Sequence, residues 1–433
     1  MVVQKLRHTG LHRRWWRIRA RLAWGIRIVL LGCLLWASLG MDACPVQASR
    51  WGEEQQLLAQ AWAYVDRAYV DPGFNGQNWW QVRQRFLSRP LKDRQETYRA
   101  IEEMLATLGD PFTRFLDKEH YLSLQTSTAG ELSGVGLQIA IDEQGSVRVI
   151  APMEGTPAEQ AGIQPQDEIL AVDGVPVAGL SLDEVAERLR GRSGTPVTLK
   201  LKRQDRVWEV ELVRQSITIN PVRTRFFELP QGTVAYIRLS QFNGNAAAQV
   251  RQAIRAAEAQ GVRGYILDLR NNPGGLLQAA IEIARFWIPK GDIVLVTDRH
   301  GIQDSIPATG EVLTEAPLVV LVNQGSASAS EVLAGALQDS GRARLVGTRT
   351  FGKGLIQSLL ELADGSGLAV TTAKYLTPSG HNIHHQGIQP DVVVGEGSVP
   401  LTAETLAGPE DIQLQRALEL LGQPQGIPVA QGR

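Results

Sequence analysis

The sequence predicts an α+β protein of several domains, and three observations carry that prediction. Helical periodicity dominates from Glu53 to about Gln125. Short alternating strands with turn residues follow from Glu131 to about Arg214, and strands alternate with helices from Ser216 to about Gly408. A chain of 433 residues, 43% of them hydrophobic, is long enough for two or three separate cores.

The first element is a leader. Residues 1–48 carry eight Lys/Arg against Asp42 alone, a balance of +7, which leaves −8 for the rest of a chain whose net charge is −1. A body that acidic is a poor nucleic-acid binder, because such binding depends on cationic contacts to phosphate. The basic stretch runs into "IVLLGCLLWASL" and then the small residues of "PVQAS". The apolar run is shorter than the roughly 20 residues that span a bilayer. Basic, apolar, small is the order of a secretory signal peptide, with a retained anchor as the alternative. Both cysteines, Cys33 and Cys44, fall inside it. The mature protein is therefore expected to lack thiols, which excludes disulfides, thiol catalysis and cysteine-ligated metal.

Residues 49–128 read as the helical region. "EEQQLLAQAWAYVDRAYV" aligns Leu57, Leu58, Trp62 and Val65 on one face before Pro72 closes it. "RQETYRAIEEMLATLGDP" repeats the pattern up to Gly109 and Pro111. The aromatic link "FNGQNWW" reads as packing between helices.

In residues 129–215, "GVGLQIAIDEQGSVRVIAPM" reads as a hairpin turning at Gln144 and Gly145, and "SLDEVAERLRG" as a compact helix stopped by Gly191. "TPVTLKLKR" and "VWEVELVR" are alternating strands. Gly134 and Gly136 flank Val135, and glycines let consecutive N–H groups turn toward one anion. "SGVGLQI" with "GTPAEQAGIQPQDEILAVDGVPV" resembles the carboxylate-binding loop and the following segment of a PDZ domain. The resemblance implies that Gly134, Val135, Gly136 and Leu137 hold a peptide C-terminus, with the peptide extending as an added strand.

Residues 216–410 hold the alternating core, and residues 411–433 a last helix and tail. The apolar strand "LVVLV" runs directly into "NQGSASASEVLAGAL". Small residues on such a strand-to-helix turn leave a serine Oγ exposed where free N–H groups and the helix dipole favour an oxyanion. An ordinary serine N-cap has the same local pattern. Downstream, "LVGTRTFGKGLIQ" approaches the phosphate-cradling G-x-x-x-x-G-K loop, but Gly354 stands where a magnesium-ligating Ser or Thr belongs. No nucleotide is expected. Helical spacing in "LIQSLLEL" competes with a strand that Asp364-Gly365 would turn into "LAVTTAKY".

"GSASASE", then "FGKG" with Lys353, then Gln357, together with "ILDLRNNPGG" and "YLTPSGHNIHHQGIQPD", strongly resemble the carboxyl-terminal processing proteases. "FNGQNWW" and "DPFTRFL" point to the photosynthetic branch, which matures the photosystem II reaction-centre core precursor. The resemblance implies an α/β core of the ClpP/crotonase-like kind, a strand rather than a helix after Lys353, and no metal or other cofactor. It assigns Ser328 as nucleophile, Lys353 as general base and Gln357 as its orienting partner, with Ser326 and Ser330 shaping the turn. The amides of Ala329 and Gly274 would form the oxyanion hole. Glu331 is either an auxiliary group or the partner of a cation on its helix.

A lysine base must shed its proton near neutrality. Its free pKa of about 10.4 means that the ammonium has to be destabilised by roughly 4.6 kcal/mol, which desolvation can supply. Residues four apart on an ideal strand lie about 13 Å apart, so Gln357 reaches Lys353 only if the chain bends. Lys374 is a rival base on an alternating strand. His381, His384 and His385 lack metal-ligand spacing and read as a polar loop. The expected activity is exported C-terminal processing of a protein tail, including a membrane-protein substrate, in the thylakoid lumen or periplasm. Broad envelope quality control is one alternative, and a catalytically dead PDZ scaffold or chaperone is another.

Overall fold

The computed structural model describes residues 52–142, 144–153, 155–301, 303–397 and 406–422. The leader and the C-terminal tail lie outside the described residues. Three helices open the described chain: α1 (Glu53–Ala68), α2 (Trp79–Leu87) and α3 (Arg94–Ala106). Asn78 and Asp93 cap α2 and α3 by accepting N–H bonds from Gln81 and Glu96. The aromatic link packs between helices: Trp79 stacks on Phe74 at 5.3 Å and on Trp62 at 6.5 Å. The same core takes in Leu362, Leu368 and Val370 from a distant hairpin. Strand β1 (Arg114–Leu116) and helix α4 (Lys118–Ala129) lead out of this region.

The region read as a PDZ domain is entered by β2 (Glu131–Gly134) and left by β9 (Gln215–Thr218), which pair antiparallel. Between them lie β3 (Leu137–Ile141), β4 (Val147–Pro152), α5 (Pro157–Gln160), β5 (Glu168–Val172), β6 (Val175–Pro176), α6 (Leu182–Leu189), β7 (Pro196–Arg203) and β8 (Arg206–Val213). The sheet order is β3-β4-β5-β7-β8, so β3 has a free edge. Ser181 and Glu184 form a reciprocal capping box that starts α6.

The remaining chain supplies β10 (Val222–Leu229), β11 (Gly232–Leu239), α7 (Ala246–Ala259), β12 (Gly264–Asp268), α8 (Leu277–Arg285), β13 (Asp292–Thr297), β14 (Gln303–Pro307), β15 (Leu318–Val322), α9 (Ala329–Asp339), β16 (Ala343–Gly347), β17 (Leu355–Glu361), β18 (Gly367–Leu376), β19 (Val392–Val393) and α10 (Ile412–Gly422). Its main sheet has the order β10-β11-β12-β15-β16-β19, parallel from β11 onward. Helices α7, α8 and α9 cover one face and α10 the other. Burial on both faces explains why "YIL" and "LVVLV" are unbroken apolar runs rather than alternating ones.

Two features aim this sheet at a site. The carboxyl ends of parallel strands are where open α/β sheets bind ligands, and the turns after β12, β15 and β16 all lie there. The end of β12 is pinned by a buried ion cluster. Arg270, fully buried, bonds Asp268 at 2.6 Å and Asp411 at 2.7 Å, tying the strand to the start of α10. Burial pushes the Asp268 carboxyl up, but Arg270, Arg238 and the Tyr236 hydroxyl together outweigh it and hold the carboxyl below its ordinary range. The "LIQSLLEL" segment is a strand, β17, hairpinned to β18 through Asp364-Gly365. Cross-strand pairing therefore overrides its helical spacing.

Candidate active site

Ser328 caps α9 with φ 56° and ψ −116°, a region that non-glycine residues rarely occupy. Five hydrogen bonds hold the turn in that shape. Ser326 Oγ donates to the Leu269 carbonyl at 2.8 Å and accepts the Asn323 N–H at 3.0 Å. Ser330 Oγ and the Ala327 N–H both donate to the Asn272 carbonyl, at 2.9 and 3.0 Å. The Ser328 N–H donates to Glu331 at 2.9 Å. Ser326 and Ser330 thus bind the turn to the end of β12. The Ala329 N–H lies in the first turn of the helix, where no intrahelical acceptor exists.

Glu331 is fully buried and joins the Ser328 turn to the lysine loop. Its Oε1 accepts Thr350 Oγ1–H at 2.5 Å and the Gly352 N–H at 2.7 Å. Its Oε2 accepts the Lys353 N–H at 2.8 Å along with that of Ser328. It pairs with no cation among the described residues; its acceptors are spent on the Ser328 turn and the lysine loop.

Lys353 sits in the loop before β17, half-buried between two glycines. A Cβ on Gly354 would stand 2.7 Å from the His384 amide nitrogen, and one on Gly352 3.2 Å from Gln386. Only glycine lets the histidine loop close on the lysine. The ammonium lies 4.7 Å from the centre of the Phe112 ring and makes no hydrogen bond or ion pair among the described residues. Burial lowers its pKa, and Arg114 adds to the effect against the opposing pull of Asp110 and Glu331. The fully buried Tyr375 clamps the loop. Its N–H donates to Gly354, its hydroxyl donates to the Lys353 carbonyl, and the Ser328 side chain neighbours that hydroxyl.

Two expected contacts are absent. The first is Gln357, which does not reach Lys353. A register shift between Ile356 and Gln357 sets Gln357 opposite Thr371, and its Nε2 lies 3.5 Å from Thr371 Oγ1. Thr371 Oγ1 in turn donates to Asp110 at 2.7 Å. Gln357 therefore joins an Asp110–Thr371 chain at the edge of the site instead of orienting the lysine. The second is the N–H of Gly274, which donates to Asn272 Oδ1 at 2.9 Å and is not free for an oxyanion. Gly274 still lies against Ser328: its Cβ position is 2.9 Å from both the Ala329 nitrogen and Ser328 Cβ. The next residue, Gly275, is exposed, and its N–H has no partner among the described residues.

The loop whose sequence resembles a carboxylate-binding loop is shaped by its glycines. Gly136 has φ 78°, and its Cβ position falls 2.3 Å from Thr156. The carbonyls of Val135 and Gly136 accept the N–H groups of Ala158 and Met153 at 3.0 and 2.8 Å. Those carbonyls are thus engaged on the α5 side, while the Val135 and Gly136 N–H groups have no partner among the described residues. Leu137 and Ile139 of β3 share a core with Val185 and Leu189 of α6, which makes the groove beside the loop apolar.

Sequence reasoning missed Phe112, Asp110 and Tyr375. The first two stand in "DPFTRFL" and Tyr375 in "YLTPSG", stretches noticed only for their family likeness.

Comparisons with known proteins supply the family. A family model for peptidase family S41 matches residues 233–394, and one for the PDZ domain matches residues 148–203. The chain is 53% identical to the carboxyl-terminal-processing protease of Synechocystis sp., over 93% of this chain and 94% of that one. The chain belongs to the carboxyl-terminal-processing proteases of peptidase family S41. It is a serine-type peptidase that carries a PDZ domain. It is also 45% identical to the chloroplastic C-terminal processing peptidase of Tetradesmus obliquus, over 84% of this chain and 81% of the other. Among solved structures, a photosystem II D1 C-terminal processing protease matches at 42% identity and a TM-score of 0.57, covering 86% of this chain and 98% of that one.

Proposed function

We propose that this processing protease matures the photosystem II D1 precursor, with Ser328 as nucleophile and Lys353 as general base. The neutral Lys353 amine takes the Ser328 proton as Oγ attacks the scissile carbonyl. The developing oxyanion is held by the Ala329 N–H, with the Gly275 N–H as second donor in place of Gly274. The protonated lysine then gives its proton to the leaving amine, and water releases the acyl chain by the same steps in reverse. The free N–H groups beside Val135 hold the substrate's terminal carboxylate in the PDZ groove.

The observation that carries the dyad is Glu331. One buried carboxyl accepts the N–H groups of both Ser328 and Lys353, so the two residues form one mechanical unit. Burial and Arg114 bias that lysine toward its neutral form. The D1 precursor is supported by the likeness to a solved photosystem II D1 C-terminal processing protease, and the likeness to chloroplastic C-terminal processing peptidases is consistent with it. Export by the leader, to the thylakoid lumen or periplasm, fits the same substrate. Mass spectrometry of D1 termini in cells lacking this chain tests the substrate. Accumulation of extended D1 is expected, and fully matured D1 would rule it out.

A further inference from the structure

Beside the lysine loop lies a cavity of about 540 Å³, bordered by Gln324, Thr348, Arg349, Thr350 and Phe351. It opens where β15 and β16 end, the same sheet end that carries Ser328 and Lys353. Two bonds fix it to the catalytic turn. The Phe351 N–H donates to the Ser326 carbonyl at 3.0 Å, and Thr350 Oγ1 donates to Glu331. Ser326 is two residues from Ser328, at most about 7 Å along the chain. A substrate residue within a few positions of the scissile bond can therefore reach the cavity.

The lining has an unusual chemistry. Arg349 is exposed and has no ion pair or hydrogen-bond acceptor among the described residues. Thr348 Oγ1 is buried without a hydrogen-bond partner. Gln324 is an exposed amide, and Phe351 is an apolar wall with 60% of its surface open. Among the described residues no carboxylate borders the cavity. The nearby Glu396 is already bonded to Asn323 at 2.7 Å. An uncompensated guanidinium, a buried hydroxyl lacking a partner and an aromatic wall together suit a carboxylate on a short apolar stem.

We propose that this cavity is a substrate subsite that reads an Asp or Glu side chain near the scissile bond, with Arg349 as its pairing group. The inference rests on Ser328 and Lys353 being the cleavage centre. It adds to the PDZ groove, which reads only the terminal carboxylate, a second point of recognition close to the bond being cut.

The test uses tailed peptides of one length and one C-terminus. A single Glu, or Gln as its neutral match, is moved stepwise from three residues before to three residues after the scissile bond. At one position the Glu peptide should exceed the Gln peptide in kcat/KM by roughly tenfold, mainly through KM. Arg349→Gln should bring that ratio to about one, and Arg349→Glu should favour Lys at the same position. The two assignments fail separately: cleavage retained in Ser328→Ala refutes the dyad, whereas a Glu-to-Gln ratio unchanged by Arg349→Gln refutes the subsite. If Arg349→Gln turns over too slowly, the ratio is read as Kd for the same peptides in a Ser328→Ala background. A ratio that survives Arg349→Gln, or no Glu preference at any position in the wild type, overturns the proposal.

Discussion

Replacing Glu331 by glutamine keeps the side chain's size but halves its capacity to accept. The carboxyl takes Thr350 Oγ1–H and the Gly352 N–H on one oxygen, and the Ser328 and Lys353 N–H groups on the other. An amide accepts through one oxygen only, so either orientation points its NH₂ at two donors. Two charge-assisted bonds are lost at about 1.5–3 kcal/mol each, roughly 3–6 kcal/mol together. Rotation of the Thr350 hydroxyl can recover part of this, which favours the lower figure. A loss of about 3 kcal/mol in the catalytic arrangement corresponds to roughly 150-fold in rate. We expect kcat on a tailed peptide to fall by about 10², with KM changed less than threefold because the PDZ groove is untouched. Thermal unfolding should shift down by several degrees. A kcat within twofold of wild type would show that Glu331 does not hold the nucleophile and base together.

Lys353→Arg should be inactive, because a guanidinium stays protonated throughout the working range, while wild-type activity should rise with pH through the lowered lysine pKa. The same desolvation costs stability. Below the folded pKa the charged lysine carries its full penalty, and near its unfolded value of about 10.4 the penalty is gone, so Lys353→Met should raise Tm most at neutral pH and little at pH 10.5. Gly274→Ala places a methyl 2.9 Å from the Ala329 nitrogen at φ 99° and should cut kcat by about 10²–10³, read by steady-state kinetics against an unchanged peptide Kd. Amidating the substrate's C-terminus should raise KM about tenfold with kcat unchanged. It is a cleaner probe than Gly136→Asp, which would strike Thr156 and reshape the loop.

Much of the fold was legible because parallel strands buried on both faces leave apolar runs, and glycines mark the loops that pack backbone on backbone. Lys353 was singled out through the likeness of "FGKG" to the processing proteases, because the glycines beside it fit a phosphate loop or a plain turn equally well; the histidine loop that closes on them was not foreseen. The direction of Gln357 was not legible, because it depends on a register shift against β18 that no local pattern encodes. The role of Glu331 was half-visible. Its spacing from Ser328 suggested help, but three of its four donors come from a loop 19 to 22 residues further on. Phe112 and Arg114, which set the lysine's surroundings, come from the far side of the chain and meet it only through β1 pairing with β18. The commitment of the Gly274 N–H to Asn272 is a side-chain choice within a turn, and the motif "NNPGG" is compatible with either amide.

The proposed dyad makes Ser328 and Lys353 one nucleophile–base pair that removes a C-terminal extension. Intact-mass spectrometry of a tailed precursor incubated with purified wild type, Ser328→Ala, Lys353→Ala and the double variant tests it most directly. The wild type should release the mature chain and the intact tail as two products. Each single variant should leave the precursor whole while still binding its tail, and the double variant should be no worse than either. Tail release by Ser328→Ala or Lys353→Ala, at a rate within tenfold of wild type, would contradict the account.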